Sequence, residues 1–75
     1  MTLNHIGRQV REARHSKAPK MTQTELVDRL RHEGLELTQA QLSKIENRTR
    51  LVLDVEVVAL ARALEVSVAW LFGET

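Results

Sequence analysis

The sequence contains no cysteine. That excludes a disulfide framework, a thiolate metal site and a cysteine nucleophile, and makes a reducing cytoplasm the expected compartment. No apolar run approaches the roughly 20 residues of a membrane-spanning helix, and the N-terminus lacks the hydrophobic centre of a signal peptide. Aromatic residues are scarce: Trp70 and Phe72 stand alone and tyrosine is absent. Leucine and valine must therefore fill the core, and Trp70 is expected as core or interface filler. A surplus of one charge is lacking too, because 11 Lys and Arg face 10 Asp and Glu for a net charge of +1, so bulk charge alone argues only weakly for a polyanionic partner. There is no internal repeat, low-complexity tract or linker. The expectation is a single domain over residues 1–75, whose 43% of hydrophobic residues suffices for a small core with little margin.

The placement of charge says more than its sum. Arg8, Arg11, Arg14, Lys17 and Lys20 face Glu12 alone in residues 1–20, whereas Arg62 faces Asp54, Glu56, Glu65 and Glu74 in residues 51–75. Lys44, Arg48 and Arg50 surround Glu46 at the end of the central stretch. A basic face could thus form from the first helix and the end of the third, although a solvated charge distribution gives the same pattern.

Apolar spacing marks five helices and no competing strand, so the fold class is all-α. Asn4 is placed to cap a first helix whose inward stripe is Ile6, Val10, Ala13 and Arg14; the guanidinium in that stripe needs a partner, since an unpaired buried charge is costly. Pro19 ends this segment. Thr22-Gln23-Thr24-Glu25 is a capping box that opens a second helix, with Leu26, Val27 and Leu30 inward and Gly34 at its end. Leu35-Glu36-Leu37 should pack on the core. Asp54 is placed to cap a fourth helix, Val55 to Leu64, with Leu53 and Val58 as its hydrophobic staple, and Ser67 to cap a fifth, Val68 to Phe72, with Gly73 beyond it. Apart from the first, each helix is expected to start the same way: an apolar residue, a capping side chain, and a second apolar residue five positions after the first.

The third helix has two faces. Thr38 and Gln41 form its capping box, and Leu37 can staple to Leu42. At 100° per residue Gln39, Ala40, Ser43, Lys44 and Asn47 share one arc, while Leu42 and Ile45 lie roughly opposite. One side suits a core. The other offers amides, a hydroxyl and an ammonium, the groups that base edges in a DNA major groove accept. Gln41 falls nearer the buried side and is assigned to the cap.

Thr22-Gln23-x-x-Leu26, Thr38-Gln39 leading to Leu42-x-x-Ile45-Glu46-Asn47, and Leu60-Ala61-x-x-Leu64-x-Val66-Ser67-x-x-Trp70-Leu71 resemble the Cro/C1-type (lambda-repressor-like, Xre) helix-turn-helix family over nearly the whole chain. The resemblance implies a five-helix domain whose third helix enters the major groove while the second lies across the backbone. It further implies that Gln39, Ala40 and Lys44, with Ser43 as a further candidate, contact bases, that Gln23, Asn47, Arg48 and Arg50 contact the DNA backbone, and that Arg14 pairs with Glu46. Function would then be sequence-specific binding of double-stranded DNA by a transcriptional regulator, a repressor on a palindromic operator, acting as a homodimer with the fifth helix (Val68, Trp70, Leu71, Phe72) as the source of its dimer surface. The chain departs from the family pattern in three places. The segment between the second and third helices is longer than usual, Val27 replaces a small residue, and Arg48 and Glu65 stand where glycine is common, which makes Asn47 a candidate for the left-handed residue after the third helix.

Other classes receive less support. His5, His15 and His32 lack ligand spacing, no cofactor is indicated, and nothing resembles an activated nucleophile or an acid and base pair, so an enzyme is not expected. The competing function is a protein-interaction module, such as an antitoxin-like or adaptor domain, suggested by the weak net charge and the apolar C-terminal helix.

Overall fold

A computed structural model describes residues 4–73, with side chains from Ile6 onward. Its five helices are α1 (Asn4–His15), α2 (Gln23–His32), α3 (Gln39–Glu46), α4 (Asp54–Leu64) and α5 (Val68–Leu71), and there is no strand among the described residues. Each helix contributes to one core: Val10 from α1, Leu26 and Leu30 from α2, Leu42 and Ile45 from α3, Leu60 and Leu64 from α4 and Leu71 from α5 are all fully enclosed. Leu37 joins them from the α2–α3 connection, and Leu35 and Val27 pack against the same cluster half-buried. The extra length before α3 is therefore folded onto the body of the domain.

The helix starts are coded locally. At α2 the Thr22 hydroxyl accepts from the Glu25 N–H at 3.0 Å and the Glu25 carboxylate accepts from the Thr22 N–H at 2.9 Å. Thr38 and Gln41 repeat the arrangement at α3 with the same two distances, and Gln41 is otherwise solvent-exposed. Ser67 caps α5 by accepting from the Trp70 N–H at 2.9 Å. Met21 and Leu26 at α2, and Leu37 and Leu42 at α3, which stand at the staple positions, are all buried in the core.

Two starts differ from expectation. Asn4, expected as the cap of α1, is itself within the helix, and the residues before it lie outside the described ones. α4 begins at Asp54, which makes Leu53 the capping residue, and a leucine offers the first turn no acceptor. Glu56 supplies half of the missing arrangement by accepting from the Leu53 N–H at 2.9 Å. Asp54 therefore does not cap, and Leu53 and Val58 are no staple: both are exposed.

The helix ends close with paired carbonyls. Leu35 N–H donates to Leu30 O at 2.9 Å beyond α2, where Gly34 takes the left-handed backbone at φ 88°. Beyond α3 the same bond runs from Thr49 N–H to Lys44 O at 2.9 Å, and the left-handed residue is Arg48, φ 65°, not Asn47, φ −84°. Glu65, φ 60°, ends α4 likewise. The positive φ falls on the residue just before the N–H that closes the end, which is Thr49 after α3 and Val66 after α4, so Arg48 and Glu65 carry it and Asn47 does not.

Candidate nucleic-acid interface

The inner face of α3 is consumed by the core, since Leu42, Ile45 and Glu46 are buried. Its outer face carries Gln39, Ala40 and Lys44 exposed and Ser43 half-buried, the arc expected from helical angles. The structure thus brings the four base-contacting candidates onto one surface of a helix anchored from behind.

Glu46 organises what surrounds this helix. Arg14 donates to it twice at 2.7 Å, from Nε to Oε2 and from Nη2 to Oε1, and a third donor, Nη1, reaches Met21 O at 2.8 Å. Both side chains are enclosed, Arg14 at 9% and Glu46 at 0% exposure. The carboxylate also accepts from Gln23 Nε2 at 3.2 Å, and Gln23 Oε1 in turn accepts from Gln39 Nε2 at 3.4 Å. Arg11 approaches the same oxygen at 3.6 Å and donates to Asn47 Oδ1 at 3.0 Å. One carboxylate thereby links α1, the start of α2 and both ends of α3. Charge-assisted bonds of this kind are short and directional, so they fix the orientation of the side chains as well as their distance. Among the described residues no buried side-chain nitrogen or oxygen lacks a partner.

The linkage also gathers positive charge. Arg11 joins α1 to the end of α3, Arg8 is exposed on the same helix, and Arg48 lies beside Gly7. Gly7 permits this approach: a Cβ there would collide with the Ile45 carbonyl oxygen. Sequence reasoning passed over Gly7, although glycine inside a helix costs about 1 kcal/mol relative to alanine and so signals a close contact. Arg11 was expected only as part of a basic face on the first helix; its bond to Asn47 was not foreseen.

Of the backbone-contacting candidates, Asn47 and Arg48 are exposed near the exposed face of α3, and Gln23 is half-buried beside Gln39. Arg50 has another occupation. It donates to both Glu56 oxygens at 2.9 Å and to Leu51 O at 3.0 Å, with its side chain 25% and that of Glu56 5% exposed. The pair holds the Glu56 carboxyl below the usual glutamate range and Arg50 above the usual arginine value, the mutual hydrogen bonds outweighing burial in both cases. Arg50, expected at the DNA backbone, is thus held in an ion pair with Glu56 within the fold. Arg50–Glu56 escaped the sequence reading since neither residue sits in a recognisable capping pattern.

The fifth helix is used mainly inside the molecule. Leu71 is fully buried, Trp70 is half-buried with its carbonyl accepting from Gln9 Nε2 at 2.8 Å, and only Val68 and Phe72 of the four apolar residues expected at a dimer surface are exposed. No group of three or more His, Cys, Asp or Glu is arranged to hold a metal among the described residues, and no described helix is long and apolar enough to cross a membrane.

A family model described as helix-turn-helix matches residues 10–71, a span that includes the second half of α1 and all of α2, α3, α4 and α5. Neither the curated proteins nor the solved structures compared with the chain gave a match.

Proposed function

Starting from the fact that the chain belongs to the Cro/C1-type helix-turn-helix family of DNA-binding transcription regulators, we infer that it is a repressor that occupies a palindromic operator as a dimer, with α3 in the major groove. Gln39, Ala40, Ser43 and Lys44 contact bases; Gln23, Asn47 and Arg48 contact phosphates, where a helix N-terminus and exposed cations are favourable. Arg50 serves the backbone contact indirectly, by fixing the connection that follows Arg48. The two copies place their α3 helices about one helical turn, ~34 Å, apart.

The observation that carries this inference is the single exposed arc of Gln39, Ala40 and Lys44 on a helix whose opposite side is fully buried. Base recognition requires polar side chains held at fixed angles, and the bonds from Gln39 through Gln23 to Glu46 supply that restraint on Gln39.

Binding measured by fluorescence anisotropy over a salt series separates the two kinds of contact. Arg48→Ala is expected to weaken all duplexes alike and to reduce the salt slope by about 1. Lys44→Ala is expected to cost ~1–3 kcal/mol on the preferred sequence and little on others. Equal losses on every sequence for Lys44→Ala would remove it from the base-reading set.

A further inference from the structure

Asn47 follows the last residue of α3 and is held through its backbone and its side chain alike. Its N–H donates to Ser43 O at 2.8 Å, with the backbone at φ −84° and ψ 0°, and its Oδ1 accepts from Arg11 Nη2 at 3.0 Å. Arg11 is fixed in turn, because its Nε lies 3.6 Å from Glu46 Oε1, a carboxylate that is fully enclosed while the Arg11 side chain is half-exposed. A guanidinium carries donors only, so the Asn47 amide must turn its oxygen, and not its nitrogen, towards Arg11. Both atoms sit on one planar carbon. The bond that places Oδ1 therefore also places Nδ2, on the side away from Arg11, where among the described residues it donates to no protein acceptor. The corner is cationic: Arg8 lies one turn before Arg11 on α1, the exposed Arg48 passes Gly7, and the Glu46 carboxylate is buried against Arg14.

We propose that Arg11 is a positioning residue for DNA binding: its bond to Asn47 Oδ1 turns the amide so that Nδ2 is presented to a phosphate of the DNA backbone. The proposal rests on the function inferred above, which gives Asn47 a phosphate contact, and adds the reason that Asn47 meets it as a donor. A phosphate oxygen only accepts. An asparagine side chain free in water offers its oxygen as readily as its nitrogen, and the oxygen would meet the phosphate as one acceptor against another. Held by Arg11 before DNA arrives, the amide has neither to flip nor to lose freedom on binding. The hold begins at Glu46, which restrains Gln39 through Gln23 and restrains Asn47 through Arg11. One buried carboxylate thus sets the polar side chains at both ends of α3. Arg11 acting by charge alone would behave differently, since it would neutralise a phosphate whatever residue 47 was.

The test is a double-mutant cycle of Arg11→Met and Asn47→Ala in the full chain, read as affinity for a duplex selected from random sequence, over a salt series. Methionine keeps an unbranched apolar stem at residue 11 and leaves Arg14 paired with Glu46. Asn47→Ala alone is expected to weaken binding about tenfold, the loss of one hydrogen bond to a charged group, with an unchanged salt slope because asparagine carries no charge. In the Arg11→Met background the same change is expected to cost less than about twofold, since the amide is no longer aimed. Equal losses in the two backgrounds, or no loss in either, overturn the proposal: Arg11 then acts by its charge or on the fold, and not through Asn47. A measurement on the free protein accompanies the cycle. Rotation of the Arg11 Nη2 group, followed by nitrogen NMR at low temperature, is expected to be slowed in wild type and released in Asn47→Ala; free rotation in both overturns the proposal without reference to DNA. A wild type that binds no duplex specifically overturns the DNA-binding inference, and the positioning of Asn47 by Arg11 then stands or falls on that rotation alone.

Discussion

Arg14 and Glu46 are 32 residues apart and meet inside the molecule, whereas Arg50 and Glu56 are six residues apart and meet near its edge. Both pairs are bidentate, and in both the carboxylate is the more deeply buried partner. Their tasks differ. The long-range pair fixes how α1, α2 and α3 sit together, which no capping box can specify, because caps decide where helices start and not how they cross. The short-range pair repairs a local defect, the absence of a capping hydroxyl at Leu53, and braces the exit from α3. Comparison of the two shows that the exposed face of α3 is held from behind by tertiary contacts and from its C-terminal side by local ones.

The comparison can be broken most forcefully at Glu46. Glu46→Ala leaves the enclosed Arg14 guanidinium without its counter-charge and is expected to cost ~3–5 kcal/mol, read as a loss of urea midpoint with an unchanged slope. A small domain has little stability to spare beyond that. Gly7→Ala attacks the same joint sterically, since the new methyl meets the Ile45 carbonyl oxygen; a loss of about 2–3 kcal/mol is expected, and a stabilised variant would mean that α1 and α3 are not in close contact.

Glu56→Gln probes the short-range pair and should cost about 1–2 kcal/mol in the same unfolding measurement. It also carries a pH signature. Arg50, aided by the Leu53 N–H, lowers the folded pKa of Glu56 against the opposing effect of burial, so the unfolded chain takes up the proton first. The stabilisation is complete above the ordinary glutamate value of ~4.3, declines as pH falls through it, and is gone below the folded value. Unfolding midpoints measured from neutral pH into acid should show this component in wild type and not in Glu56→Gln. The smallest effect runs the other way: Leu53→Ser completes the capping box with Glu56 and is expected to raise stability by about 0.5–1 kcal/mol, visible as a higher melting temperature.

What the sequence made legible follows the same division. Thr22 with Glu25, Thr38 with Gln41 and Ser67 are local codes of a few residues, and their helices begin where those residues place them. The inward stripes were readable for the same reason, periodicity being a property of one helix. The partner of Arg14 was not; it required the family resemblance, because apolar spacing shows that a buried guanidinium needs a carboxylate without saying which. Arg48 and Glu65 were readable only as departures from glycine, and the structure shows that each takes the left-handed backbone itself. The start of α4 was misplaced because Asp54 looks like a cap, whereas Glu56, drawn inward by Arg50 and bound to the Leu53 N–H, sets the boundary one residue earlier. Exposure of Leu51, Leu53 and Val55 was illegible as well, since apolar residues flanking a helix are usually buried.

The central claim, that the outer face of α3 reads DNA sequence, is tested most directly by selecting bound duplexes from a random library at moderate salt, with wild type and Lys44→Ala side by side. Wild type should enrich a motif of two inverted half-sites with centres about one helical turn apart, and Lys44→Ala should enrich a motif altered at defined positions within each half-site. A wild type that enriches no motif, or a variant that enriches the wild-type motif unchanged, would contradict it.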